Sequence, residues 1–163
     1  MIEKKRLALG FGLALAIIIA DRLTKHWIVE VLDLPTRFRI EVTSFFNLTM
    51  VWNRGVSFGM FGDDGVSAYV LGGFAIAVSI GLAIWMVRSK DLFLTVTLGL
   101  IIGGALGNAW DRWIYGAVAD FFDFHVLGWH FWAFNIADSA ISIGVALLLW
   151  DSVFGSGSKT AKD

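Results

Sequence analysis

The chain has 163 residues, of which 57% are hydrophobic and 17% charged, and its mean hydropathy is +0.72. Soluble domains carry about a quarter charged residues, and one small globule cannot hide this much apolar surface, so the composition describes an integral membrane protein. Thirteen basic against fourteen acidic residues (net charge −1) exclude a nucleic-acid-binding surface, and the lack of cysteine excludes disulfides, thiol catalysis, thiolate metal sites and cysteine-borne lipid anchors.

Crossing ~30 Å of hydrocarbon takes about 20 helical residues, and four stretches qualify. The first covers residues 7–27, with Asp21, Arg22 and Lys25 in its last third. Lys4, Lys5 and Arg6 precede it, and Ala14-Leu15-Ala16 resembles a signal-peptide cleavage box. The apolar run continues past that box without a turn, so a retained helix is expected. Residues 28–66 follow as an external region. Within it, about 36–54, Phe38, Ile40 and Val42 alternate with polar neighbours, and so do Phe46, Leu48, Met50 and Trp52. Period two predicts a β-hairpin with one apolar face, turning at Thr43-Ser44 and lying on the membrane surface. Gly55–Gly65, rich in glycine with Phe58, Met60 and Phe61, reads as a mobile interfacial segment suited to a lid.

The second span, 67–87, and the third, 92–110, are uncharged and joined by a short hairpin at Arg88–Asp91. Gly99, Gly103 and Gly107 form a small-residue stripe in the third span, which predicts close helix packing. The next connection contains Val118-Ala119-Asp120-Phe121 and is apolar enough to lie in the interface. The fourth span, 131–150, contains one charge, Asp138, expected about 10 Å below the surface at helical rise. Residues 155–163 read as a flexible tail. The fold class expected is therefore a membrane all-α, four-helix bundle (residues 1–154) with a small external β region. Lys and Arg counts, seven on the side of both termini and four on the other, place the termini in the cytoplasm.

An ionisable residue inside a span is a functional hypothesis by default. Asp138 is the clearest case, with Asn135 three residues earlier on the same face. A second carboxylate beside it, Asp120 or the nearby Asp123, creates a pair that shares one proton. One member then serves as general base for water and the other as general acid. A second polar set gathers at the same depth: Gly104, Asn108, Asp111 and Arg112 on one face of the third helix, Asn53, Arg54 and Gly55 after the hairpin, and Asp21 with Lys25. Taken singly, Asp21 with Lys25 is a plain ion pair and Asp111 with Arg112 are interface charges. His26, His125 and His130 form no H-E-x-x-H zinc motif, no serine stands in a G-x-S-x-G elbow, and there is no P-loop. No metal or other cofactor is expected.

Five motifs stand in order: Asp21-Arg22-Leu23-Thr24-Lys25, Asn53-Arg54-Gly55, Gly104 through Arg112, Val118-Ala119-Asp120-Phe121, and Phe134-Asn135-Ile136-Ala137-Asp138. With four spans, they make the chain resemble the bacterial lipoprotein signal peptidases (signal peptidase II). The resemblance covers roughly residues 21–138. It implies an intramembrane aspartic protease of the bacterial inner membrane that cuts prolipoproteins just before a diacylglyceryl-modified cysteine. It implies Asp120 and Asp138 as the catalytic dyad and assigns Asn53, Gly104, Asn108, Arg112, Asn135 and Ala137 to the site lining. Arg54 and Gly55 join that substrate-binding and supporting set, and Asp21, Lys25 and Asp111 are implied as structural supports. Partners would be lipid-modified prolipoproteins and membrane lipid, with no obligate protein partner. Prepilin-peptidase-like and presenilin-like enzymes use a Gly-x-Gly-Asp motif that is missing here. A small proton-coupled transporter using Asp120 and Asp138 as a relay is the alternative from another class, and a scaffold with polar residues as glue is a third.

Overall fold

The computed structural model describes residues 2–55 and 66–155. The expected lid segment (beyond Gly55) and the tail past Gly155 lie outside the described residues. Among the described residues, four helices are long and apolar enough to cross a membrane. The first is α1 (Ile2–His26), extended by a π-helical turn, Trp27–Val31, and followed by the short α2 (Leu34–Arg37). Helices α3 (Val66–Arg88), α4 (Leu92–Tyr115) and α5 (Ile136–Phe154) complete the bundle. Strands β1 (Arg39–Thr43), β2 (Phe46–Asn53), β3 (Val118–Val126) and β4 (Trp129–His130) form one antiparallel sheet in that order.

Helix α4 is the central post, packed by α1, α3 and α5. Its glycines explain why. A side chain at Gly99 would come 2.6 Å from the Gly10 carbonyl oxygen of α1, and one at Gly103 would come 2.7 Å from that of Ala14. The small-residue stripe therefore lets α1 lie backbone-to-backbone on α4, as its spacing predicts. Asp91 caps α4 by accepting from the Phe93 and Leu94 amides, and Gly116 ends it in the left-handed conformation (φ +67°).

The hairpin forms where the alternation predicts it, but its turn is Ser44-Phe45, one residue later than expected. Two expectations need correction. The 111–130 connection is largely not an interfacial loop: Val118–Val126 is a strand paired with β2 along most of its length. Its dyad end is covered on both faces, with Val118, Ala119, Asp120 and Phe121 all buried, so no polar alternation marks it. The fourth helix begins at Ile136, not 131, and runs to Phe154. Phe131 and Phe134 belong instead to an aromatic cluster with Phe122 and Phe124 on the sheet. Ile28, Leu34, Leu48 and Phe121 form the small core that seats this sheet on the extension of α1.

Candidate active site

The sheet and three helix ends meet at one end of the bundle. Strand β3 brings Asp120, which is only 2% exposed. The first turn of α5 brings Asn135 and Asp138, β2 ends at Asn53, and α4 supplies Asn108. Asp138 is the third residue of α5 and forms a capping box with Asn135. It therefore sits at the helix entrance, not about 10 Å inside a span. The cause is the late start of α5.

Amides cradle both carboxylates. Asn135 Nδ2 donates to Asp120 Oδ1 at 2.7 Å, and Asn53 Nδ2 donates to Asp120 Oδ2 at 3.0 Å. Asn108 Nδ2 donates to Asp138 Oδ1 at 2.7 Å, and the Asn135 backbone N–H donates to Asp138 Oδ2 at 3.2 Å. Each of the four oxygens thus accepts one N–H. Burial, and then the neighbouring Asp138 carboxylate, push Asp120 up from 3.8 to about 7; the Asn53 hydrogen bond works the other way. A buried carboxyl that keeps its proton near neutrality, beside a second carboxylate, is equipped for general acid–base chemistry.

Behind the pair lies a charge network that fixes the orientation of Asn108. The Lys25 ammonium is fully buried and has three acceptors: Asp111 Oδ2 at 2.7 Å, Asp21 Oδ2 at 2.8 Å and Asn108 Oδ1 at 3.2 Å. Asn108 Oδ1 also accepts from Asn135 Nδ2 at 3.3 Å, which leaves its own NH2 to face Asp138. Arg22 reaches Asp111 Oδ1 at 2.7 Å, so two cations meet two carboxylates. The ion pair Asp21–Lys25 is real, as its spacing suggests, and Asp111 is no plain interface charge but is fully buried and paired with Lys25 and Arg22. Asp21 Oδ1 accepts from the Ala137 amide at 3.1 Å, and Asp111 Oδ2 from that of Ala119 at 3.2 Å. The network thereby holds the first turn of α5 and the strand carrying Asp120.

The remaining expected residues fall into place unevenly. Gly104 and Ala137 are both buried and meet as an α4–α5 contact, where a side chain on Gly104 would overlap the Ala137 backbone. Arg112 donates to the Asn108 carbonyl at 3.3 Å, and its buried Nε has no hydrogen-bond partner among the described residues. It lies in the field of Asp138, Asp120 and Asp111. Gly55 adopts φ +90°, donates to Asn53 Oδ1 at 2.9 Å, and would strike Leu71 if it bore a side chain. Arg54 is exposed beside it.

Asp123, the competing partner, is on the other face of β3, because residues three apart on a strand point oppositely. It contacts His130 Nδ1 at 2.7 Å and accepts from Thr49 Oγ1 at 2.7 Å. Burial pushes its carboxyl up, but hydrogen bonds from His130, Thr49 and Asn47 outweigh it and hold Asp123 below the ordinary value. Sequence reasoning missed the part of Arg22 and the double role of Asn135; the adjacency Asp21-Arg22 was the available signal for the first.

Fold and site together define a four-span membrane protein with a paired-carboxylate centre at one bundle end. The family model described as signal peptidase (SPase) II matches residues 13–154. A lipoprotein signal peptidase of Rhodopseudomonas palustris (strain TIE-1) is 44% identical over 153 residues, covering 91% of this chain and 93% of that protein. One from Nitrobacter hamburgensis is 46% identical over 148 residues, covering 88% and 90%. The solved structure of a bacterial membrane enzyme superposes with a TM-score of 0.77 at 30% identity, covering 94% of this chain and 93% of that one. The chain belongs to the signal peptidase II family and is a peptidase.

Proposed function

We propose that this enzyme removes the signal peptide from lipid-modified prolipoproteins, cutting just before the diacylglyceryl cysteine, with Asp120 and Asp138 as its catalytic dyad. The observation that carries the reading is the shared amide cradle, in which Asn135 donates to both carboxylates. Asp120 holds the proton near neutral pH and gives it to the scissile carbonyl oxygen as water adds; when the C–N bond breaks, the proton that Asp138 took from the water passes to the leaving amine and Asp120 recovers its own from the intermediate's hydroxyl. Asp138, at the positive end of α5, takes the proton of the attacking water. Asn53, Asn108 and Asn135 hold the two carboxylates in place. Arg112, with a free Nε beside the pair, receives a substrate carbonyl, and Arg54 and Gly55 border the entrance. Gly104 and Ala137 set the α4–α5 distance, while Asp21, Lys25 and Asp111 brace the site.

The enzyme sits in the bacterial inner membrane with both termini cytoplasmic and the dyad near the outer leaflet. That position suits a substrate that is itself a membrane helix with a lipid attached, since water still reaches the pair. The comparisons give no support to a proton-coupled carrier. The test is incubation with a diacylglyceryl-modified prolipoprotein. Asp120→Asn and Asp138→Asn should each abolish the shortened product while the protein stays folded, and the double variant should lose no more than either single one. Near-normal turnover by either variant sinks the assignment; Asp123→Asn should retain far more activity.

A further inference from the structure

Away from the dyad, three apolar hollows line up along one seam of the bundle. The first, about 410 Å3, lies against Trp110 and Trp113 at the dyad end. It shares Ile18, Ile76 and Leu106 with the second, about 280 Å3. The second shares Ile80 and Ala83 with the third, about 310 Å3, which ends at Arg88. The shared residues make them one groove, walled by α1 and α3 and floored by α4 over its first two hollows and lined by α3 in the third. From Ile76 to Arg88 it runs about 18 Å at helical rise. Its hydroxyl, Ser79, is turned back onto the Ala75 carbonyl at 2.8 Å, so the groove offers nothing to a polar occupant.

The end opposite the dyad has the other character. The α1 wall passes through Ile18, Leu15 and Phe11, and the same face continues through Ala8 to Lys4, which is exposed. Arg88 thus lines the last hollow, and helical spacing carries the α1 face to Lys4 at the same end of the bundle. Beside them Arg6, only 7% exposed, donates from Nη1 to the Met86 carbonyl and to Thr95, while its buried Nη2 has no hydrogen-bond partner among the described residues. The other charged residues of these segments are Lys5 and Lys90 against Glu3 and Asp91, and Asp91 is engaged in capping α4. The balance is positive.

We propose that this seam is a binding site for one anionic phospholipid, with its headgroup phosphate on Lys4 and Arg88 and one acyl chain in the groove. A partner helix is about 10–12 Å wide with its side chains, whereas hollows of this size, open sideways to the hydrocarbon, match a single chain. The site does not depend on the catalytic reading, and no dyad residue lines it.

The experiment is native mass spectrometry of the intact chain in detergent, titrated with phosphatidylglycerol or with phosphatidylethanolamine bearing identical acyl chains. One phosphatidylglycerol should be retained with about thirtyfold preference, the gain expected from two basic residues near a charged headgroup. The Lys4→Gln/Arg88→Gln double variant, altered only at exposed positions, should lose that preference. Ala83→Trp, which fills the groove, should weaken both lipids. Equal retention of the two lipids by the unaltered chain, a preference that survives the double variant, or binding indifferent to Ala83→Trp in folded protein each overturns the proposal.

Discussion

Replacing Lys25 with methionine should unfold the enzyme at a markedly lower temperature, for reasons that can be worked out from its three contacts. The ammonium and its partners Asp21 and Asp111 are all inaccessible to solvent. Methionine keeps most of the volume and removes the charge. Asp111 retains Arg22 at 2.7 Å, but Asp21 is left buried with the Ala137 amide as its remaining donor. Breaking a buried pair by removing one partner costs about 3–5 kcal/mol, and retention of Arg22 puts this case near the lower figure. At about 2–4 °C per kcal/mol for a chain of this size, the midpoint should fall by about 6–12 °C. The assay is thermal unfolding in detergent followed by tryptophan fluorescence. Adding Asp21→Asn to Lys25→Met removes the stranded charge and keeps an acceptor for Ala137, so at least half of the loss should return. A Lys25→Met variant that melts within ~1 °C of the parent would falsify the idea that this network braces the bundle end.

Three further outcomes follow from the same geometry. Asp120 titrates near 7 in the fold against 3.8 ordinarily, so the folded state holds its proton more tightly than the unfolded chain. This contribution is full below about pH 4, is lost as pH rises to 7, and amounts to at most about 4 kcal/mol, shared with Asp138. The unfolding midpoint should therefore drop between pH 5 and pH 8, with a smaller drop in Asp120→Asn; a midpoint that rises over that range contradicts the burial argument. Proteolysis should persist in a strong chelator, because carboxylates activate the water, and loss on chelation with recovery on adding zinc would overturn that mechanism. In this cysteine-free chain, a cysteine at Ser89 should react with an impermeant reagent only from the cytoplasm and one at Ser44 only from outside; the reverse pattern puts the dyad on the wrong face.

What could be read from the residues depended on how solvent or lipid met each segment. Helix α3 runs Val66–Arg88 where uninterrupted hydropathy places 67–87, since lipid faces much of its surface and charges flank it. Strands β1 and β2 were legible because one side of the hairpin is polar. Strand β3 was not, because its first half is enclosed on both sides and Asp120 looks like a lone polar residue in the run 118–122. The start of α5 was misplaced because Phe131 and Phe134 are as apolar as a span, although they serve the sheet. Asp120 and Asp138 were visible as charges in apolar surroundings. The pairing of Lys25 with Asp111 was not, because 86 positions separate them and no local pattern joins residues on different helices.

Asn135 begins a helix and also holds two carboxylates from one position. Its side chain accepts from the Asp138 amide at 2.9 Å, while its NH2 and backbone N–H serve Asp120 and Asp138. Winding the first turn of α5 and assembling the acid–base pair are consequently a single event. If that turn frays, the two carboxylates lose their common anchor together, so an unwound helix start cannot carry a half-built centre. With Asp120 and Asp138 as the proposed dyad, such an all-or-nothing arrangement would protect the membrane around it, since a water-activating pair assembled piecemeal would risk cutting whatever helix drifted past. Here the order of one helical turn acts as the safety catch.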